Sequence, residues 1–162
     1  MDNPGQVEIE EGRGRVTFER ELEATIDRVW AAISTSAGLT SWLAPAEVEL
    51  SSDGRIDLDF GEGGVAGGKI IDIKPGTMLE FEWRFPGEHN SVLRLELEDL
   101  GSERTRMVLD HRLVPGDQTI GYGAGWHAYL DHLAAVLGGR DPGPWSERFD
   151  ELLPSYQAAQ AG

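Results

Sequence analysis

From Thr77 to Phe85 apolar and polar residues alternate without a break, with Leu79, Phe81, Trp83 and Phe85 in one phase and Glu80, Glu82 and Arg84 in the other. A period of two predicts a strand with one covered and one wet face. Aromatic rings in that number are too bulky to lie flat against a second sheet, so the pattern asks for a long helix or a cavity opposite. The alternation recurs in Val16, Phe18, Leu22 and Ala24, where Arg20 breaks the rule by sharing the apolar phase. It recurs again in Ala46, Val48 and Leu50, in Ile56, Leu58 and Phe60, and around Lys69 to Lys74. The last two runs are Leu93, Leu95 and Leu97, then Thr105, Met107, Leu109, His111 and Leu113. Turn signals separate the runs: Ser52-Asp53-Gly54, a glycine-rich link at 61–68, Pro75-Gly76 with the composition of a type II turn, and Pro86-Gly87.

After Pro115-Gly116 the period becomes helical, and Trp126, Tyr129, Leu130, Leu133 and Leu137 recur three or four apart between Thr119 and Leu137. Gly138-Gly139 stops this helix. Two shorter helices are predicted after the first strand. Thr25 caps one that carries Ile26, Val29, Trp30 and Ile33, and the other runs from about Ala37 to Leu43. Consecutive hairpin-linked strands followed by one long helix predict an α+β fold. The expected sheet is a curved antiparallel one of about six to seven strands wrapped around the C-terminal helix. The domain division follows: residues 1–14 as a flexible arm, 15–138 as the domain, and 139–162 as a linker and amphipathic appendage. That appendage carries Trp145, Phe149, Leu152 and Tyr156, interrupted by Pro154. Its apolar stripe must be covered by its own domain, by a second copy in a homodimer, or intermittently as a lid.

The 162 residues suit a single domain that buries roughly two-thirds of its unfolded surface. With 29 acidic and 14 basic residues the formal charge is −15, which repels nucleic acid and anionic membranes. Cysteine is absent, which removes disulfides, thiolate nucleophiles and sulfur-ligated zinc. The opening MDNPGQVEIEEGRGR lacks the apolar centre of a signal peptide, and no run reaches the length of a membrane span, so the default location is cytoplasmic.

Four segments in this order resemble the SRPBCC superfamily, also called START-like or birch-allergen-like. They are ATIDRVWAAIS at 24–34, GLTSWLAP at 38–45, IIDIKPGTMLEFEWRF at 70–85 and GWHAYLDHLAAVL at 125–137. Within it the chain is similar to the branch that includes the C-terminal domain of the heat-shock-protein-90 ATPase activator. The resemblance implies a helix-grip fold with a cavity between sheet and long helix, and small apolar or amphipathic ligands. It also implies a chaperone partner as one option. It does not imply a single activity, because relatives include carriers, receptors, cyclases and co-chaperone domains.

Candidate lining residues of such a cavity are Trp42, Phe60, Phe81, Trp83, Phe85, Trp126, Tyr129, Leu130 and Leu133, together with His111. Arg20 and His111 are the candidate polar anchors, since both fall in the inward phase of a strand. A buried arginine needs an anion or a route for its head to water, and His111 could serve as a general acid or base if it faces open space. The remaining chemistry is sparse. His127 and His132 are five apart, off a common helical face, and no HExxH or GxSxG motif occurs, so neither a metal site, a cofactor nor a nucleophilic centre is implied. The carboxylate pairs Asp57/Asp59, Glu80/Glu82 and Glu96/Glu98 lie in the polar phase, as expected of a solvated outer face. The glycines at 61–68 join two strands, which favours a bulged hairpin at the cavity mouth over a phosphate loop. Gly121, Gly123 and Gly125 open the long helix and would permit close approach of a neighbouring backbone or ligand entry. The leading expectation is a binder of a small hydrophobic or amphipathic molecule. The alternatives are a cyclase-, dehydratase- or hydrolase-type enzyme using His111, and a partner-binding domain.

Overall fold

The computed structural model describes residues 4–161. Eight strands among them form one antiparallel sheet: β1 (Gln6–Glu10), β2 (Arg13–Leu22), β3 (Ala46–Val48), β4 (Arg55–Asp59), β5 (Val65–Lys74), β6 (Met78–Trp83), β7 (Ser91–Gly101) and β8 (Arg104–Pro115). Their order across the sheet is β1-β2-β8-β7-β6-β5-β4-β3. β1 and β2, and all neighbours from β8 to β3, are consecutive in the chain, and β2–β8 is the one non-sequential pairing among the described strands. The helices are α1 (Ile26–Ser34), α2 (Ser36–Trp42), α3 (Thr119–Leu137) and α4 (Trp145–Ala161). This is the α+β arrangement with a long helix against a curved sheet.

The sheet holds one strand more than expected, and the extra strand lies in the segment read as a flexible arm. Gln6–Glu10 pairs with β2 from Gln6↔Thr17 to Glu10↔Arg13. Val7 and Ile9 alternate with Gln6, Glu8 and Glu10, a strand signal of only two apolar residues among charges, and within the strand only Val7 is partly buried. Residues 1–3 of that arm lie outside the described residues.

The inward phase holds along β6 and β7, where Leu79, Phe81, Trp83, Leu93 and Leu95 are all buried. Along β8 it slips. Leu113 adopts φ 61° beside the register shift at Gly14/Arg15, so Leu113 is exposed and Val114 turns inward in its place. A bulge adds one residue to one strand and so exchanges the two faces beyond it. Ile71 is thrown outward in the same way at the irregularity between Ile70 and Asp72. The outer face also departs from expectation at Glu80, which is buried rather than solvated. Its carboxylate accepts from Arg112 Nη1 at 2.8 Å and lies 3.7 Å from Arg94 Nη1, so two long side chains from β8 and β7 cover it.

Thr25 caps α1 by accepting from the Arg28 N–H. Arg28 Nη2 in turn donates to the Leu137 carbonyl at 2.8 Å, fixing the C-terminus of α3 where a cation suits the helix dipole. Gly14 is required at the other end, because a Cβ there would lie 1.8 Å from Thr119 Oγ1 at the start of α3. The appendage is a continuous helix through Pro154. Tyr156, beyond the proline, is 5% exposed, accepts from the Gly5 N–H at 2.7 Å and hydrogen-bonds His127 Nδ1 at 2.8 Å. A Cβ on Gly123 would lie 3.0 Å from both Tyr156 and Val7, so this glycine lets α3 accept α4 and β1 at close range.

Candidate functional site

Tyr122, Trp126 and Tyr129 are spaced four and three apart, which places them on one face of α3. Trp83 at the end of β6 meets this face edge-on, 5.4 Å from Trp126 and 6.3 Å from Tyr122 between ring centroids. Phe60 closes one side, 6.0 Å from Trp83 and 6.1 Å from Tyr129. From the other side α4 brings Trp145, stacked at 4.9 Å on Tyr129, and Phe149, stacked at 4.9 Å on Trp145. Between these walls lies a cleft of about 500 Å³, open to solvent and completed by Leu43, Phe85, Glu88, Gln118, Gly121 and Gly125. Its volume falls in the range of small-molecule sites.

The indole donors of the cleft are all engaged within the protein. Trp83 Nε1–H donates to the Tyr122 hydroxyl at 3.0 Å, and that hydroxyl donates to Glu88 Oε1 at 2.7 Å. Trp145 Nε1–H donates to the Gly125 carbonyl at 3.3 Å. Trp126 Nε1–H donates to His111 Nδ1 at 3.0 Å. That bond fixes the neutral Nε2–H tautomer of His111, which then donates to Ser91 Oγ at 2.8 Å, while Ser91 donates to the Trp83 carbonyl. A closed relay thus ties the two tryptophans of the inner wall together behind the surface. Burial pushes the Tyr129 hydroxyl up to about 12 and the Tyr122 hydroxyl higher still, aided by Glu88. Both remain protonated at neutral pH.

The predicted lining residues divide into two groups. Phe60, Trp83, Phe85, Trp126 and Tyr129 stand on the cleft wall. Trp42, Phe81, Leu130 and Leu133 are instead buried in the core. Trp42 donates its indole N–H to the Ala32 carbonyl, which locks α2 onto α1. The hollow foreseen beneath the whole length of α3 is therefore filled by side chains, and the open volume lies at the N-terminal half of that helix.

The two polar anchors fall elsewhere. His111 is fully buried, and desolvation lowers its pKa from 6.5 to about 3. It lies behind Trp83 and Trp126 and presents no open face, so it positions the wall and does not meet the condition for acid–base use. Arg20 lines a separate polar hollow of about 700 Å³ formed by β2, Arg104 and the C-terminal half of α3. It donates to the Glu19 carbonyl at 3.2 Å, with its guanidinium 5.0 Å over the Phe18 ring. The cleft residues not foreseen are Leu43, Glu88, Gln118, Tyr122, Trp145 and Phe149. The i, i+4, i+7 spacing with Trp126 and Tyr129 carried a signal for Tyr122. The 145/149 stripe was visible, but its docking site was not.

Residues 23–138 match the family described as Activator of Hsp90 ATPase homolog 1-like protein. The chain belongs to this family. The match ends at the close of α3, so the Activator of Hsp90 ATPase homolog 1-like core supplies the inner wall of the cleft but not Trp145 or Phe149. None of the curated proteins matches. Among solved structures, CalU16 from Micromonospora echinospora is similar with a TM-score of 0.77 at 21% identity, covering 96% of this chain and 98% of that one. The protein encoded by BPP1335 from Bordetella parapertussis gives 0.74 at 25% identity, over 96% of this chain and 90% of its own. PFC0360w, an HSP90 activator from Plasmodium falciparum, gives 0.66 at 20% identity and covers 76% of this chain and 96% of that one. These likenesses show the same fold, a curved antiparallel sheet against a long C-terminal helix. No helix among the described residues is long and apolar enough to cross a membrane.

Proposed function

We propose that this protein binds a small hydrophobic or amphipathic molecule in the aromatic cleft between the end of β6, α3 and α4. The observation that carries the reading is the open volume of about 500 Å³ walled by Phe60, Trp83, Tyr122, Trp126, Tyr129 and Trp145. The rings contact one another edge-on or stacked, yet they leave an open volume in front of them. Here the relay through His111 holds Trp83 and Trp126 in place while the space before them stays open. Burial of apolar ligand surface supplies the affinity, at roughly 25 cal/mol per Å² before ordering costs.

Native mass spectrometry of protein purified from its own host, followed by solvent extraction, tests the proposal. The expected result is a bound species of a few hundred daltons that is lost when Trp83 is replaced by alanine. Apo protein alone, with cleft resonances that do not respond to any hydrophobic small molecule, would overturn it. Family membership motivates a second reading, a chaperone-accessory domain. A pull-down against the host's Hsp90 that recovers none would remove that reading.

A further inference from the structure

The chemistry of the cleft is one-sided. Every indole N–H on its wall is already donated within the protein, and so is the Tyr122 O–H. No lysine, arginine or histidine lines it. What the wall offers a ligand is aromatic π-faces and a single charge, the carboxylate of Glu88. That residue sits in the turn after β6, held by its N–H to the Phe85 carbonyl at 3.1 Å, with Gly87 at φ 81° making the turn. Tyr122 occupies one carboxylate oxygen, Oε1, and thereby aims the group. The hydroxyl of Tyr129 and the amide of Gln118 add neutral groups that accept as readily as they donate.

Anionic ligands and ligands rich in acceptors find few donors here. A cation finds electron-rich ring faces and a carboxylate at once, and aromatic faces attract ammonium groups most strongly where water is excluded. Resting on the ligand-binding reading above, we propose that the ligand is a cationic amphiphile: a flat, ring-sized apolar body that packs against the cleft wall of Trp83, Trp126 and Tyr129, with an ammonium group paired to Glu88. The formal charge of −15 assists its approach but does not select the cleft, because that long-range field is screened over about 8 Å at physiological salt.

Three probes of one shape test the inference: 2-naphthylmethylammonium, 2-naphthylmethanol and 2-naphthoate, titrated at physiological salt into the full chain. Indole N–H resonances of Trp83, Trp126 and Trp145 report occupancy of the cleft. The ammonium is expected to bind about tenfold more tightly than the alcohol, and the carboxylate most weakly. In Glu88→Gln, which keeps an acceptor for Tyr122, the ammonium and the alcohol should bind alike. Equal affinities in the parent protein would overturn the cationic preference and leave cleft binding intact. A preference that persists in Glu88→Gln would overturn it too, by assigning selectivity to the overall charge. Failure of all three probes to move the indole resonances would remove the cleft-binding reading together with this one.

Discussion

Replacing His111 by glutamine isolates the fully buried ionisable group behind the inner wall. In the folded protein the imidazole is neutral, accepts from Trp126 and donates to Ser91, and its pKa is lowered to about 3 because no water or anion supports its charge. In the unfolded chain it titrates near 6.5. The sign follows directly. Above pH 6.5 both states are neutral and the stability is fully present. Below it the unfolded state takes up a proton that the folded state refuses, so stability falls as pH falls and the loss is complete near pH 3. At about 1.36 kcal/mol per pH unit, the gap between 6.5 and about 3 amounts to about 5 kcal/mol. The usable window is narrower, because carboxylates also titrate below pH 5. Between pH 7 and 5 the contribution of His111 alone is about 2 kcal/mol. Glutamine can accept from the Trp126 indole and donate to Ser91 without titrating, so the variant should lose some stability at pH 7, about 1–3 kcal/mol for imperfect geometry. It should then lose about 2 kcal/mol less than the parent on going to pH 5. Urea denaturation followed by tryptophan fluorescence at each pH reads this difference. The effect of burial on His132, which also lowers its pKa, is common to both proteins and cancels. Parallel pH dependence in the two proteins would refute the buried, neutral relay.

Trp145→Ala removes a ring stacked on both Tyr129 and Phe149 and should cost about 1–2 kcal/mol of stability. It should also weaken binding of 2-naphthylmethanol about tenfold, and unchanged affinity in a fluorescence titration would show that α4 is no part of the site. Gly121→Ala and Gly123→Ala sit two residues apart in α3, and Gly121→Ala should be the more stabilising of the two. At Gly121 the added methyl meets nothing within 4 Å, so helix propensity stabilises by about 0.5–1 kcal/mol. At Gly123 contacts of 3.0 Å to Val7 and Tyr156 offset that gain, and equal shifts in urea midpoint would contradict the close packing of α4. Tyr156→Phe strips hydrogen bonds from the Gly5 N–H and His127 and should cost about 1–2 kcal/mol. Faster hydrogen exchange confined to the first residues of β1 would accompany it, and no change there would sink the account.

Much of the fold was legible because its signals are local. Alternation in Leu79, Phe81 and Trp83, the Pro75-Gly76 turn and the three-or-four spacing from Trp126 to Leu137 each specify their own element. Apart from β1, whose partner β2 follows it directly in the chain, the misreadings below share a different cause: each depends on a partner distant in sequence. Whether Leu113 or Val114 faces inward is decided by a bulge opposite Gly14, about a hundred residues away in the chain. Glu80 reads as a wet carboxylate until arginines from two other strands fold over it. Likewise Phe81, Leu130 and Leu133 carry the same apolar signal as Trp126, and only packing separates core from cleft. Pattern gives the inward phase of a residue, not whether anything stands in front of it.

The placement of α4 decides how far family membership can inform function. The matched core stops at residue 138, and the helix that follows contributes Trp145 and Phe149 to the cleft and Tyr156 to the anchor beneath it. Without that helix Tyr129 and Gly125 would face solvent across a shallow aromatic groove, a shape suited to another protein surface. With it, the same groove has a second wall and the volume of a small-molecule site. On the proposed reading, the docking of α4 is what gives the aromatic face of α3 the second wall and the volume of a small-molecule site.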